Sequence, residues 1–461
     1  IPGIYIPRQS GPLPGLLFQP FSRRSYPGGT LAAHVVGFCD IDGRGREGVE
    51  GTWQAFLAAI PAEQEAKRDA CRRPMVDNAF AADASRQGHT VELALISAVQ
   101  RLTEDELGKA VARYRPAGAS AVVMEPHSGD ILAWACWPDY DPNNPGAAES
   151  AHRLNSVIAT VFEPGSTFKP FVWAAALEEN AITPESRFFC ENGAWTMPNG
   201  RVLHDVHGYG DLTAEMVLIK SSNIGMAKIA GLLGASRLHR WICAFGFGET
   251  TGVPISGELS GTVHPLARWT SYSMGSLPMG QEITVTLMQL ATAYSAIANG
   301  GLLIKPRLIK AIRDAEGRIV HEVPVTPRRR VLRVETSACL RRILRRAVSE
   351  GTGKAANMPE YALAGKTGTA QLKVNAAEYR AGLRGYSRTR FLSSFVGMAP
   401  ADAPRIVVAV AVREPQGAYY GGTVAAPVVR DIARRTLLYL GVPPAGGVSS
   451  AIMEDNGASV D

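Results

Sequence analysis

The chain has 461 residues, a formal net charge of +6, and 46% hydrophobic and 20% charged residues. This length suits two or three domains with proper cores, and the composition excludes a largely disordered chain. The positive charge is spread along the sequence rather than gathered into a block, so we expect no nucleic acid partner. Six scattered cysteines without C-x-x-C spacing predict neither a zinc site nor a disulfide framework.

Residues 1–83 are predicted to form a smaller N-terminal module. It contains a strand-like run, LAAHVVGFCDID, and a helical run, VEGTWQAFLAAI. Between them, GRGREG formally matches the G-x-G-x-x-G of dinucleotide-binding folds. No repeating strand and helix rhythm follows it, so we interpret this stretch as a glycine-rich turn.

Residues 84–443 are predicted to form the main domain. VELALISAVQRLTEDELGKAVARY indicates a short strand followed by an amphipathic helix, and ASAVVMEPHSGDILAWACW indicates a β-hairpin. A mostly helical stretch is predicted from about residue 161 to residue 299. Its last helix lies in TVTLMQLATAYSAIANGG, and the Asn-Gly-Gly at the end is a good helix C-cap.

Three strand-like runs and a closing helix complete the main domain. The runs are YALAGKTGTAQ, TRFLSSFVGMAP and RIVVAVAVREP, and the helix lies in VAAPVVRDIARRTLLYL. Short links between consecutive strands favour antiparallel pairing. We therefore predict an α/β (α+β) fold whose antiparallel sheet takes strands from both ends of the domain, with a helical insert between. Residues 444–461 are predicted to be a disordered tail.

The stretch FEPGSTFKPF contains the first candidate for chemistry. Pro170 cannot lie deep in a helix, so the helix must begin near Gly165 or Ser166. Ser166 then lies at the positive end of the helix dipole, with Lys169 on the same face. A serine beside a lysine that loses its proton through burial is an activated nucleophile.

Two further motifs follow in order along the chain. Ser221-Ser222-Asn223 precedes a helical run, and Lys366-Thr367-Gly368 lies in a predicted strand. The second also resembles the end of a phosphate-binding loop. That loop requires glycine where this chain has Glu360, so the NTPase interpretation fails. S-x-x-K, S-x-N and K-T-G in this order are the motif set of penicillin-binding proteins and related β-lactamases.

The chain resembles the class B penicillin-binding proteins, the transpeptidases that cross-link peptidoglycan. The segments EPGSTFKPF, SSNIG, FGFGETTGVPISGE, GTGKAA, AGKTGTAQ and YYGGTVAAPVVRDIA all resemble family segments, as do AHVVGF and GREGVEGTW in the N-terminal module. Ser-Ser-Asn favours the division-type or sporulation-type branch. The resemblance implies a penicillin-binding or serine β-lactamase-like transpeptidase fold, with flanking helices and a helical subdomain.

The resemblance also implies roles for individual residues in the acyl-transfer reaction. Ser166 would attack the penultimate D-Ala carbonyl of a stem peptide, and Lys169 would be its base. Ser221 would pass a proton to the leaving amine. Asn223 would hold the peptide amide of the donor.

The strand motif is implied to bind the substrate. Lys366 and Thr367 would bind the terminal carboxylate, and Gly368 would let the strand lie close against the substrate. The backbone N–H groups of Ser166 and Thr369 would form the oxyanion hole.

The implied ligands are peptidoglycan stem peptides and β-lactams, without a cofactor. A membrane-embedded glycosyltransferase and partners of the divisome or the elongation machinery are also implied. The expected location is the extracytoplasmic (periplasmic) face of the bacterial cytoplasmic membrane. The chain opens at Ile1 without a methionine, so we expect a native anchor that is absent from this chain.

Alternatives remain open at the level of sequence. A D,D-carboxypeptidase or a β-lactamase-like hydrolase would use water instead of an amine, and a non-catalytic penicillin-binding sensor or scaffold would use no acceptor. His204 and His207 form an H-x-x-H that could suggest a metal, but no third ligand stands at a recognisable spacing. We therefore predict no metal site.

Overall fold

A computed structural model of the chain describes residues 24–58 and 88–444. Much of the predicted N-terminal module lies outside these ranges, as does all but the first residue of the predicted tail. The domain boundaries at residues 83 and 443 stay predictions.

Helices and strands of the described chain mostly follow one another in runs of one type. In chain order, the helices are α1 (Ala33–Val36), α2 (Gly48–Thr52), α3 (Gln54–Leu57), α4 (Ser97–Tyr114), α5 (Ser156–Ala159), α6 (Lys169–Glu178), α7 (Ala214–Lys220), α8 (Asn223–Leu233), α9 (Ala235–Ala244), α10 (Ser273–Ser276), α11 (Leu287–Ala298), α12 (Val334–Ser349), α13 (Ala376–Arg380), α14 (Gly421–Val424) and α15 (Ala426–Tyr439). The strands are β1 (Thr90–Leu93), β2 (Gly118–Met124), β3 (Ile131–Trp137), β4 (Arg187–Phe189), β5 (Ala194–Thr196), β6 (Val202–His204), β7 (Asp211–Thr213), β8 (Leu302–Ile304), β9 (Ile309–Arg313), β10 (Ile319–Glu322), β11 (Pro327–Arg330), β12 (Ala364–Lys373), β13 (Tyr386–Ala399) and β14 (Ile406–Arg413).

The central sheet has five antiparallel strands in the order β12-β13-β14-β2-β3. The predicted hairpin is β2 and β3, and it joins the three late strands through pairing of β2 with β14. This confirms the predicted sheet built from both ends of the domain. Strand β12, which carries Lys-Thr-Gly, is at an edge of the sheet, where one row of backbone groups is left free for other contacts.

Strand β14 shows why the sheet is buried on both faces. Val408, Val410 and Val412 pack into a core that includes α4 and α15. Val407 and Ala409 point to the opposite face, where α11 packs. Successive side chains alternate between faces, so a continuous apolar run is what a strand covered on both sides requires.

The insert between β3 and β12 is largely helical, with α6 packed against α8 and α9. A cluster of aromatic rings fills its core, with contacting ring centroids 4.9 to 5.7 Å apart. The cluster consists of Phe168, Phe171, Phe245, Phe247 and Tyr294. The predicted helical stretch from 161 to 299 is only partly right, because β4 pairs with β7 and β5 pairs with β6 within it. These strands have three residues each, too few to show a period of two in the sequence.

The prediction of a strand for LAAHVVGFCDID is wrong, because Ala33–Val36 forms the helical turn α1. Contacts from the main domain hold its backbone. The hydroxyl of Tyr140 donates to the carbonyl of Ala33 at 3.1 Å, and Asn155 Nδ2 donates to the carbonyl of His34 at 3.0 Å. Tertiary hydrogen bonds therefore override the local apolar pattern. Within the described ranges, no helix is long and apolar enough to cross a membrane.

Candidate active site

Ser166 lies in the first turn of a helical segment. A 3-10 helix, Gly165–Phe168, runs directly into α6, as predicted for a helix beginning near Gly165 or Ser166. Gly165 has a φ of +56°, which glycine adopts without steric cost, and its N–H donates to the Gly280 carbonyl at 3.1 Å. Pro170 is the second residue of α6, where its missing N–H leaves no helical hydrogen bond unmade.

Ser166 and Lys169 are neighbours across this turn. Residues three apart are eclipsed in a 3-10 helix, and the N–H of Lys169 donates to the carbonyl of Ser166. Lys169 is fully buried, whereas Ser166 is half-buried. Among the described residues, no side-chain hydrogen bond engages Ser166 Oγ. The hydroxyl is therefore partly accessible to a substrate, and the buried lysine lies three residues further along the same helical turn.

The amine of Lys169 connects the serine turn to the junction of α7 and α8. Lys169 Nζ lies 2.6 Å from the Ser221 carbonyl, 3.2 Å from Ser221 Oγ and 2.7 Å from Asn223 Oδ1. Three acceptors match the three protons of an ammonium group. After losing one proton, the amine keeps two donations and presents a lone pair. The longest contact, to Ser221 Oγ, is the one most easily exchanged.

Burial changes the acidity of both buried lysines. It lowers the pKa of Lys169 to about 7, although the negative charge of Asp205 acts in the opposite direction. Burial, together with the positive charge of Lys169, also lowers the pKa of Lys366 well below its usual range. A lysine with a pKa of about 7 is neutral in a substantial fraction of molecules near pH 7, and the neutral amine can accept a proton from a hydroxyl.

The Ser221-Ser222-Asn223 segment forms a sharp break between two helices. Ser221 has a φ of +61° at the end of α7, a left-handed conformation that is uncommon for residues other than glycine. Ser222 is the N-cap of α8, and its Oγ accepts from the N–H of Gly225 at 2.9 Å. The helix start predicted after this motif is confirmed, and the break turns Ser221 and Asn223 toward Lys169.

Lys366 and Thr367 lie on β12, as predicted, with Lys366 Nζ close to a pair of threonine hydroxyls. Lys366 Nζ is 3.3 Å from Thr367 Oγ1 and 3.5 Å from Thr352 Oγ1, and the two threonine oxygens are 2.8 Å apart. Thr352 lies in the loop between α12 and β12. An amine beside two hydroxyl groups is a suitable arrangement for binding a carboxylate, whose negative charge would favour the protonated form of Lys366.

Gly368 packs against the serine turn. A Cβ at this position would lie 2.9 Å from Thr167 Cγ2 and 3.0 Å from the Pro164 carbonyl oxygen, and it would also collide with Ser394 Oγ. The sequence predicts that a bare glycine lets the strand approach the substrate. The space around its missing side chain is instead filled by the protein, so the glycine allows β12 to approach the nucleophile turn.

We expect Gly368→Ala to lower both stability and acylation. The added Cβ must displace the side chains of Ser394 and Thr167 and crowds the Pro164 carbonyl. Overpacking of this kind typically costs about 1–3 kcal/mol. A thermal melt and the rate of labelling by a fluorescent penicillin measure the two effects. The matched control is Gly108→Ala in α4, where a Cβ meets no atom within 4 Å. Equal behaviour of the two variants would contradict the packing role.

Thr369 presents backbone groups to the same turn. A Cβ placed on Gly165 would be 3.4 Å from the Thr369 carbonyl oxygen, so this carbonyl points away from β13 toward the turn. The N–H and C=O of one strand residue point to the same edge. The Thr369 N–H therefore also points from the free edge of β12 toward the serine turn. The Oγ1 of Thr369 accepts from the Gly421 N–H at 2.9 Å.

Two residues of the site did not emerge from the sequence. Thr352 lies in GTGKAA, which the sequence marks only as a family-like segment. Asp205 accepts hydrogen bonds from Ser222 Oγ at 2.6 Å, from the Ile224 N–H at 3.2 Å and from the Asn223 N–H. It lies 17 to 19 positions before these donors and shares no motif with them, so only the fold brings them together.

The two histidines of H-x-x-H are exposed and do not form a metal centre with their neighbours. His204 contributes its backbone carbonyl, which accepts from Asn223 Nδ2 at 2.8 Å. Within residues 24–58 and 88–444, no group of three or more His, Cys, Asp or Glu side chains could hold a metal ion.

A family model, the penicillin binding protein transpeptidase domain, matches residues 119–434. The chain belongs to this family. Stage V sporulation protein D of Bacillus subtilis is 36% identical over 436 residues, which cover 94% of this chain and 66% of that protein. Peptidoglycan D,D-transpeptidase FtsI of Escherichia coli is 32% identical and is covered over 73% of its length.

Solved structures agree with the sequence relatives. Penicillin binding protein 3 from Mycobacterium tuberculosis in complex with ampicillin superimposes with a TM-score of 0.81 at 31% identity, covering 92% of this chain and 91% of that chain. The same protein in complex with aztreonam has a TM-score of 0.80. The sequence-based assignment to the class B penicillin-binding proteins and to their transpeptidase fold is therefore confirmed.

Proposed function

We propose that this penicillin-binding transpeptidase cross-links peptidoglycan stem peptides through an acyl-enzyme on Ser166, and that β-lactams trap the same serine. The observation that best supports this proposal is the buried amine of Lys169. It has a lowered pKa, contacts Ser221 and Asn223, and lies one 3-10 turn from a half-buried serine hydroxyl. Relatives named as peptidoglycan D,D-transpeptidases and a neighbour in complex with ampicillin support the substrate class.

In the acylation step, Ser166 Oγ attacks the carbonyl carbon of the penultimate D-Ala. The hydroxyl proton moves to the neutral amine of Lys169, and a tetrahedral oxyanion forms. Ser221 Oγ, 3.2 Å from Lys169 Nζ, then passes its proton to the amide nitrogen of the terminal D-Ala and takes one from the Lys169 ammonium in return, so Lys169 is again neutral. The C–N bond breaks, D-Ala leaves as an amine, and the donor peptide stays on Ser166 as an ester.

The oxyanion would be held by two backbone donors. The first turn of a helix leaves its N–H groups without helical acceptors, which makes the Ser166 N–H available. The N–H of Thr369 points from the free edge of β12 toward the serine turn. Two fixed donors at the developing negative charge stabilise the transition state more than the ground state.

The terminal carboxylate would bind at the cation and hydroxyl cluster. Lys366 would supply positive charge when it is protonated, and Thr367 and Thr352 would supply hydroxyl groups. A carboxylate bound there would also favour the protonated form of Lys366. Asn223 donates one Nδ2 proton to the His204 carbonyl and accepts from Lys169, so one amide proton is left for the donor peptide.

Transfer to an amine completes the proposed cross-link. The amine of a neighbouring stem attacks the ester carbonyl, a proton leaves that amine, and Ser166 Oγ departs and is reprotonated. A D,D-carboxypeptidase or a β-lactamase would use water in the same step. A penicillin adduct that clears within seconds supports the β-lactamase, whereas one that persists argues against it. Whether a donor stem peptide is transferred to an added amine or to water separates the transpeptidase from the carboxypeptidase.

We further propose that the domain works at the extracytoplasmic face of the cytoplasmic membrane, where stem peptides are located. A membrane-embedded glycosyltransferase would supply the glycan strands that carry the stems. Partners of the divisome or of the elongation machinery would recruit both enzymes. Co-purification of these proteins with the full-length protein tests this proposal.

The proposed function is tested by labelling with a fluorescent penicillin followed by peptide mass spectrometry. We expect one covalent adduct on the peptide that contains Ser166. Absence of any adduct, or an adduct confined to another residue, would overturn the mechanism. A protein that binds the stem peptide without acylation would indicate the non-catalytic sensor or scaffold.

A further inference from the structure

Asp205 holds the first turn of α8 at three points. It lies in the turn that follows β6 and accepts from the N–H groups of Asn223 and Ile224 and from Ser222 Oγ. Its own N–H donates to the Gly193 carbonyl at 3.0 Å, which ties it to the start of β5. The first N–H groups of a helix lack helical acceptors, and a carboxylate is a favourable partner for them.

The same turn also holds the side chain of Asn223. Asn223 Nδ2 donates to the carbonyl of His204, the residue before Asp205, at 2.8 Å. Backbone and side chain of Asn223 are thus held by adjacent residues of one turn. Since Asn223 Oδ1 accepts from Lys169 Nζ at 2.7 Å, the orientation set by this turn reaches the proposed base directly.

We propose that Asp205 is a positioning residue for the acyl-transfer site, which fixes Asn223 and balances the charge around Lys169. The inference rests on the proposed function and deepens it. Ser221 has a left-handed backbone and stands immediately before this capped turn. Such a conformation persists when the surrounding structure holds it in place. The hydrogen bonds from Ser222, Asn223 and Ile224 to Asp205 contribute to this.

Asp205, from the turn after β6, is the charged group that favours the protonated Lys169 amine. The other buried amine nearby, Lys366 on β12, has a pKa lowered well below its usual range by burial and by the charge of Lys169. The remaining neighbours in contact with the amine, Ser221 and Asn223, are uncharged. Removing the carboxylate charge therefore lowers the pKa of Lys169 further, because burial then acts with less opposition.

The test compares Asp205→Asn with the wild type over pH 5 to 9, using the second-order rate of acylation by a fluorescent penicillin. The wild-type rate should rise with pH through about 7, as Lys169 loses its proton. In Asp205→Asn the midpoint of this rise in acylation rate should move to lower pH. The plateau rate should fall roughly tenfold to a hundredfold because Asn223 is less well held.

Two controls separate positioning from simple helix capping. Ser222→Ala removes a cap hydrogen bond but keeps the carboxylate of Asp205. The midpoint of its pH profile should therefore equal that of the wild type. Asp314→Asn removes an equal charge from the turn between β9 and β10. It should change neither the midpoint of the pH profile nor the plateau rate. If Asp205→Asn does not fold, Asp205→Ser keeps a hydroxyl acceptor without the charge and gives the same comparison.

The outcomes are distinct for the two proposals. If the wild type is not acylated at Ser166, the proposed function itself is contradicted. If the wild type is labelled but Asp205→Asn has the same pH profile of the acylation rate, with the same midpoint and plateau, the positioning role alone is contradicted. A midpoint that moves equally in Ser222→Ala would show that the effect comes from the cap and not from the charge.

Discussion

Ser166→Ala should not be acylated by any β-lactam. The acyl-enzyme is an ester of Ser166 Oγ, and alanine provides no nucleophile, so labelling by a fluorescent penicillin should fall to background. The substituted side chain is half-buried and its Oγ has no side-chain hydrogen bond within the described part of the chain. We therefore expect little change in the melting temperature, and the measurement is gel fluorescence with a thermal melt.

A matched serine provides the control for that variant. Ser256 is exposed, and its hydrogen bonds go to Thr52, away from the site. Ser256→Ala should label at the wild-type rate. Labelling of Ser166→Ala at an appreciable rate would mean that another residue is the nucleophile. The proposed mechanism would then be wrong.

Lys169→Met should reduce the acylation rate by about 10²–10⁴-fold, the usual contribution of a general base. Methionine keeps an unbranched side chain of similar length in the buried space and removes the amine. Alanine at the same position would leave a cavity and confound the result with instability. The measurement is the second-order acylation rate at pH 8, where most wild-type Lys169 should be neutral.

The control is Lys109→Met on α4, which changes a lysine whose side chain is 68% exposed and forms an ion pair with Glu106. It should acylate normally. Full labelling of Lys169→Met would remove the lysine from the role of base. If both the rate and the melting temperature collapse, the less disruptive Lys169→Gln separates folding from catalysis by comparing labelling of the folded fraction.

Several elements could be predicted because their signals are local. The strands β13 and β14 are apolar runs joined by a short link, and Pro170 locates the start of the helical segment after Ser166 by a steric rule. The α1 turn and strands β4 to β7 could not be predicted. They are too short for periodicity, and hydrogen bonds from distant residues decide their backbone conformation.

The sequence by itself determined which residues could carry the chemistry. Ser166 and Lys169 are close along the chain, and the order of the three motifs is visible without any structure. Only the tertiary structure decided that Lys169 is fully buried with a pKa of about 7, that Gly368 faces the serine turn, and that Asp205 holds Asn223. Desolvation and close packing depend on what surrounds a residue in space, and those neighbours come from segments far apart in the chain.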